Sequence, residues 1–245
     1  MNKGFAASAA ALMFVQCGAM AGVLMSDNFN SYSNGNLVPQ GGWAGHSGLG
    51  STPVQVNSGT ISTVQGSGSR EDVNRDTGSV MGAGDVWYAG FDVTITGADP
   101  AVTTYFAHFR DDGTGFNSRI FVMDGGAGAG TYTIGIGDIA STPDASFAGS
   151  FSYGVTYRVI SSYNFDSGLS QVWVNAVAPG DPSIMSTTAD PGENISSYAF
   201  RQAAGNTTQV IDNLIVATTF GEVVPAPSAL ALLGLGGLTA FRRRR

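Results

Sequence analysis

Residues 86–96 read Val86-Trp-Tyr-Ala-Gly-Phe-Asp-Val-Thr-Ile-Thr96. Trp87, Ala89, Phe91, Val93 and Ile95 fall on one face; Tyr88, Gly90, Asp92, Thr94 and Thr96 fall on the other. A period of two with one apolar side marks a strand that buries a single face. The same pattern continues outward. Thr103 to Arg110 sets Tyr105, Ala107 and Phe109 against Phe106, His108 and Arg110. Ser118 to Asp124, Thr131 to Ile136, Ile195 to Arg201 and Gln209 to Thr218 read as further strands, with shorter ones near Val23 to Phe29, Val54 to Val56 and Ile61 to Val64. Tyr157 to Phe165 and Leu169 to Val174 form a hairpin pattern around Asp166-Ser167-Gly168. The connectors are turn-rich, as in Asp111-Asp112-Gly113, Asp124-Gly125-Gly126 and Asp190-Pro191-Gly192. Many short strands without a repeat predict an all-β, two-sheet antiparallel sandwich of jelly-roll type rather than a propeller or β-helix.

Between Asp27 and Glu222 lie all 18 acidic residues and six arginines (Arg70, Arg75, Arg110, Arg119, Arg158 and Arg201), a formal charge of −12. An acidic body repels phosphate backbones and argues against nucleic acid as a partner. It is compatible with divalent cations and neutral glycans. The only cysteine is Cys17, in the apolar N-terminal stretch, so the body has no thiol for catalysis or metal binding.

The two ends read as addresses. Lys3, the apolar run Gly4 to Val15 and the small-x-small pattern Ala19-Met20-Ala21 form a secretory signal helix, cut after Ala21 by the export machinery. At the other end Val224-Pro225-Ala226-Pro227 breaks the last strand. An apolar stretch, Ala229 to Phe241, leads into Arg242, Arg243, Arg244 and Arg245. As a short C-terminal helix it measures about 20 Å, against a hydrocarbon core of about 30 Å. That suits transient rather than lasting membrane anchoring, with the arginines on the cytoplasmic side. The chain thus divides into a signal peptide (1–21), a β-sandwich (22–222) and a tail (223–245).

The proline motif, apolar segment and arginine cluster resemble a PEP-CTERM sorting tail, with Ala226 where that motif usually carries glutamate. The resemblance implies an exported protein of the cell envelope or extracellular space, held briefly in the inner membrane and cut near the prolines by an exosortase, in a setting of exopolysaccharide production. The body resembles concanavalin A-like, or laminin G-like, jelly rolls at Ser26-Asp27-Asn28-Phe29 with Gly41-Gly42-Trp43, at Tyr157-Arg158-Val159 through Trp173-Val174-Asn175, and at Val210-Ile211-Asp212-Asn213-Leu214. That resemblance implies the fold and carbohydrate recognition.

Four body residues are candidates for a site. By alternation Asp27 and Asp212 each fall on an apolar strand face, Asp27 with Val23, Met25 and Phe29, Asp212 with Val210, Leu214 and Val216. A charge there needs a partner, and a structural calcium is one candidate beside backbone-bonded turn aspartates. Trp43, among glycines in a loop, and Trp173, between two valines, are candidate sugar-stacking rings, whereas Trp87 belongs to the core. No catalytic residue is assigned and the chain is expected not to be an enzyme. Its glutamates are few (Glu71, Glu193 and Glu222), and His46 and His108 are the only histidines. The expected function is that of a non-catalytic surface or matrix protein associated with polysaccharide. The other reading, a polysaccharide hydrolase or lyase, requires two carboxylates about 5 to 9 Å apart in an open groove.

Overall fold

The computed structural model describes residues 22–224. In chain order its strands are β1 (Val23–Asp27), β2 (Gly35–Asn36), β3 (Trp43–Ser47), β4 (Gln55–Asn57), β5 (Thr60–Val64), β6 (Asp72–Asp76), β7 (Val86–Gly97), β8 (Thr104–Asp111), β9 (Phe116–Met123), β10 (Thr131–Gly137), β11 (Ala145–Ser146), β12 (Phe151–Ser152), β13 (Thr156–Asn164), β14 (Ser170–Val174), β15 (Ser183–Met185), β16 (Ile195–Phe200) and β17 (Thr207–Ala217), followed by one helical turn, α1 (Phe220–Val223). They form two antiparallel sheets. The first runs β15-β14-β13-β7-β17-β5-β4-β2, with β1 beside β17; the second runs β11-β10-β9-β8-β16-β6-β3, with β12 beside β10. The expected sandwich is therefore the observed fold. Among the described residues no helix is long and apolar enough to cross a membrane. The signal and tail residues Ala19, Ala21, Pro225, Ala226, Pro227 and Arg242 to Arg245 lie outside the described range.

The core lies between the sheets. Trp87, Ala89, Phe91, Val93 and Ile95 of β7 are all buried, as their alternation requires. Phe91 meets Phe106 and Phe200 edge to face, with centroids 6.2 and 5.6 Å apart. Such pairs add about 0.5–1.5 kcal/mol each to the burial itself. At one end a glutamine network ties the sheets together. Gln65 Nε2 donates to Gln209 Oε1 (3.0 Å) and to the Arg201 carbonyl (2.8 Å), and Gln202 Nε2 donates to the Glu71 carbonyl (2.9 Å).

Three bulges change faces that strict alternation assigns. Across β17 and β7 the register runs Asp212↔Asp92 and then Ile215↔Gly90, with Asn213 at φ 51° as the extra residue. Ile211 and Leu214 consequently both reach the core, and Asp212 turns away from Leu214 and Val216 instead of joining them. On β8 the register slips between Tyr105 and Ala107, and opposite it β9 bulges at Ser118 (φ 54°). Phe106, Ala107 and Phe109 enter the core, while Tyr105 and His108 share the outer side, with centroids 5.6 Å apart.

Both candidate tryptophan rings are buried, which corrects the expectation of exposed stacking platforms. Trp43 begins strand β3 rather than sitting in a loop. It is 1% exposed, packs on Phe200 at 5.7 Å and donates Nε1 to Asp27. Trp173 does point away from the central core, as its position between valines implies. There it is 3% exposed, in a second small cluster with Ile160, Ala217, Phe220 and Val223. The turn α1 folds back over this face and covers it.

Candidate functional site

The two aspartates proposed for calcium are brought near each other but not together. β1 and β17 pair side by side, with Asp27 opposite Leu214. Asp27 faces inward and its carboxylate is fully engaged. Oδ1 accepts the Phe29 N–H (2.9 Å). Oδ2 accepts the Tyr32 hydroxyl (2.5 Å), Trp43 Nε1 (2.9 Å) and the Arg75 guanidinium (2.7 Å). A carboxylate holding four donors, one of them a cation, does not fit a calcium ligand, because every donor repels a second cation. Asp212 lies on the other side of the sheet, opposite Asp92. Burial, reinforced by Asp92, raises its pKa. Among the described residues no group of three or more metal-ligating side chains converges. A recess of about 500 Å³ is lined by Asp27, Tyr32, Arg75 and Asn213 among others. Its central charges already satisfy one another.

The outer face of the second sheet is different. β8, β9 and β16 are neighbours there, which assembles Arg110 from β8, Arg119 from β9 and Arg201 just beyond β16. All three are partly exposed. They surround aromatic side chains. The Arg201 guanidinium lies 4.1 Å and that of Arg119 5.2 Å from the Tyr105 ring centroid, and Arg119 is also 5.9 Å from Phe116. Tyr105 touches Phe121 at 5.6 Å. Stacking of this kind orders a guanidinium while leaving its N–H edge available.

The partners of these arginines set them apart from Arg75 and Arg158. Arg110 donates to the carbonyls of Asp111 (3.1 Å) and Gly113 (2.7 Å), and Arg119 to those of Phe116 (2.8 Å) and Ala140 (2.7 Å). The ion pairs among the described residues are Arg75–Asp27 and Arg158–Asp92. Four of the six body arginines thus meet no carboxylate, in a body with 18 acidic residues: these three, and Arg70, which donates to the Val64 carbonyl (3.0 Å).

Both histidines join this face. His46 and His108 have ring centroids 6.1 Å apart, and Phe116 packs on His108 at 4.7 Å. Burial, then Arg110, pushes His46 down to about 4. Burial pushes His108 well below the usual imidazole range, helped by His46 and the arginines. Both rings are therefore neutral at pH 7. Neither nitrogen of His108 meets a hydrogen-bond partner in the protein, so this ring behaves as an aromatic filler beneath the arginines.

Carboxylates gather at one margin. A methyl group placed on Gly115 would meet Asp111 Oδ2 at 2.8 Å and Glu193 Oε2 at 3.3 Å. Asp111 Oδ1 accepts the N–H groups of Gly113 (2.9 Å) and Gly115 (2.8 Å), the ordinary task of a turn aspartate. Burial, then Asp190 and Asp111, raises the Glu193 pKa from its ordinary value. The arginine face went unassigned in the sequence because its members are far apart along the chain and net charge hides a local excess. The visible signal was Arg110 alternating with His108 on one strand.

Residues 223–245 match the PEP-CTERM protein-sorting motif, which marks an exported, envelope-associated chain directed to an exosortase. No match to a curated protein was found. Among solved structures the chain is similar to a sialidase, with 14% identity and a TM-score of 0.55, covering 82% of this chain and 19% of that one. The chain therefore spans about a fifth of that protein's length. It is also similar to peanut lectin bound to a 9mer peptide (14% identity, TM-score 0.48, 80% of this chain and 97% of that one). A third similarity is to an alginate lyase from Alteromonas sp.272 (14%, TM-score 0.45, 71% and 92%). The likeness to the sialidase shows the fold alone, an antiparallel two-sheet sandwich of jelly-roll type.

Proposed function

We propose that this chain is a non-catalytic envelope or matrix protein whose β-sandwich binds carboxylate-bearing extracellular polysaccharide on the face of Arg110, Arg119 and Arg201. Before release it is anchored in the inner membrane by its tail and trimmed at Pro225-Ala226-Pro227. The observation that carries the reading is a set of three guanidiniums without carboxylate partners on one side of an acidic protein, two of them (Arg119 and Arg201) ordered over Tyr105 and Phe116. Guanidinium matches carboxylate in a planar, two-bond geometry, and the partly exposed Phe116 ring suits the apolar face of a sugar ring. The acidic remainder repels such a polymer elsewhere and so confines it to this face. Acidic glycan thus replaces the neutral glycan that net charge alone suggested.

The test is affinity electrophoresis through polygalacturonate and through neutral dextran. Retardation by the first alone is the expected result; equal retardation by both, or none, contradicts the reading. The second reading, cleavage of the polymer, draws on the approach of Asp111 and Glu193 to Gly115. It requires shortened chains after incubation with the pure protein, and their loss in Glu193→Gln. Unchanged polymer length is the expected outcome.

A further inference from the structure

The domain grips the first residues of its own sorting motif. The motif begins at Val223, which is fully buried against the outer face of the first sheet together with Phe220, Trp173 and Ile160; Val224 packs partly against the same cluster. Arg158 of β13, itself 7% exposed, holds this segment by its backbone. Nε and one terminal nitrogen both donate to the Val223 carbonyl (3.1 and 2.7 Å), and the other terminal nitrogen donates to the Asn213 carbonyl (2.7 Å) and lies 3.4 Å from Asp92 Oδ1. Asp92 is held in turn by Asn213 Nδ2 (2.8 Å). The fit leaves no spare room, since a methyl group on Gly90 would meet the Val223 carbonyl oxygen at 2.7 Å and an Arg158 nitrogen at 2.9 Å.

A buried guanidinium whose donors converge on one backbone carbonyl is a clamp. Only Pro225 to Ser228 separate the clamped segment from the apolar stretch that opens at Ala229. Even fully extended, that interval spans at most about 17 Å. The folded domain therefore stays close to whatever holds the tail. We propose that Arg158 is a positioning residue for tail processing: it fixes Val223 on the sheet, so that the motif is presented at a set distance from the folded domain and the cut falls beyond Val224. The proposal rests on the exosortase reading of the tail. The bonds from Phe220 to Val224 lie against the sheet, closed to an extended-chain enzyme site, and the trimmed product keeps the segment that covers Trp173.

The experiment follows the full-length protein in cells that carry the sorting machinery, reading trimming rate by pulse-chase and the new C-terminus by mass spectrometry. Wild type is expected to give one C-terminus, after Val224. Arg158→Gln should trim about tenfold more slowly, as expected for a misplaced reacting group, with ends spread to bonds before Val224, and Arg158→Lys should restore part of the rate. Because Arg158→Gln also loosens the fold, a Gly-Ser-Gly-Ser insertion between Val224 and Pro225 serves as the second variant. It leaves the clamp and the melting temperature intact, and should slow trimming while every end stays beyond Val224. Wild-type rate and a wild-type end in both variants overturn the clamp proposal and leave the sorting reading standing. Failure of the wild-type chain to be trimmed at all overturns both.

Discussion

The two outer faces of this sandwich handle arginine in opposite ways. On the first sheet Arg158 is buried, bonded to two carbonyls and faced by Asp92, and the chain's own α1 turn seals the surface with Phe220 and Val223. On the second sheet Arg110, Arg119 and Arg201 reach only carbonyls or ring faces and stay partly exposed. A charge placed in a closed site must be fully partnered, because its desolvation is otherwise uncompensated. A charge left over aromatic rings at the surface carries no such debt and is free for a ligand. The contrast assigns structure to one face and recognition to the other.

Four changes break or sharpen the contrast. The largest acts beneath both faces. Phe91→Ala removes the ring that Phe106, Tyr198 and Phe200 surround, and should cost about 3–5 kcal/mol in chemical denaturation. Next, Arg158→Gln strands the Val223 and Asn213 carbonyls and should cost about 2–3 kcal/mol by the same assay. Arg201→Gln on the other face should fall within about 0.5 kcal/mol of wild type. Equal losses for the two arginines would erase the distinction.

The third change is acidity. His46 is held at about 4, from an ordinary 6.5, and His108 lies well below its usual range. Their folded pKa values lie below the unfolded ones, so the unfolded chain binds more protons between those limits. The stability they contribute is complete above pH 6.5 and is lost as pH falls toward 4. Asp72 works the other way. Burial raises it to about 6, so its contribution improves as pH falls from about 6 toward 3.8. His108→Phe should therefore shrink the drop in melting temperature between pH 7 and pH 4.5, and Asp72→Asn should enlarge it. Finally, a chelator should leave the melting temperature unchanged, since the four donors on Asp27 leave no calcium ligand there.

Much of the scaffold was legible in the sequence because burial imposes alternation. β7 shows this most plainly, each of its five inward residues being buried. Alternation fails where a strand bulges, so the faces of Asp212 and Tyr105 were misread at Asn213 and Ser118. Two-residue strands such as β2, β11 and β12 are too short to show a period. Trp173 teaches a different point. Its outward direction was readable from Val172 and Val174, but outward does not mean exposed when residues 220–223 return to cover it. The arginine face was invisible for a topological reason, since Arg110, Arg119 and Arg201 become neighbours only through the pairing of β8 with β9 and β16.

The central claim is that the open face binds an acidic polymer, and chromatography on immobilised polygalacturonate tests it most directly. Wild-type protein should be retained at low salt and released as salt rises, as for any exposed ionic contact. The variant carrying Arg110→Gln, Arg119→Gln and Arg201→Gln should pass unretained with an unaltered melting temperature. Retention of that variant at the wild-type salt concentration would contradict the account.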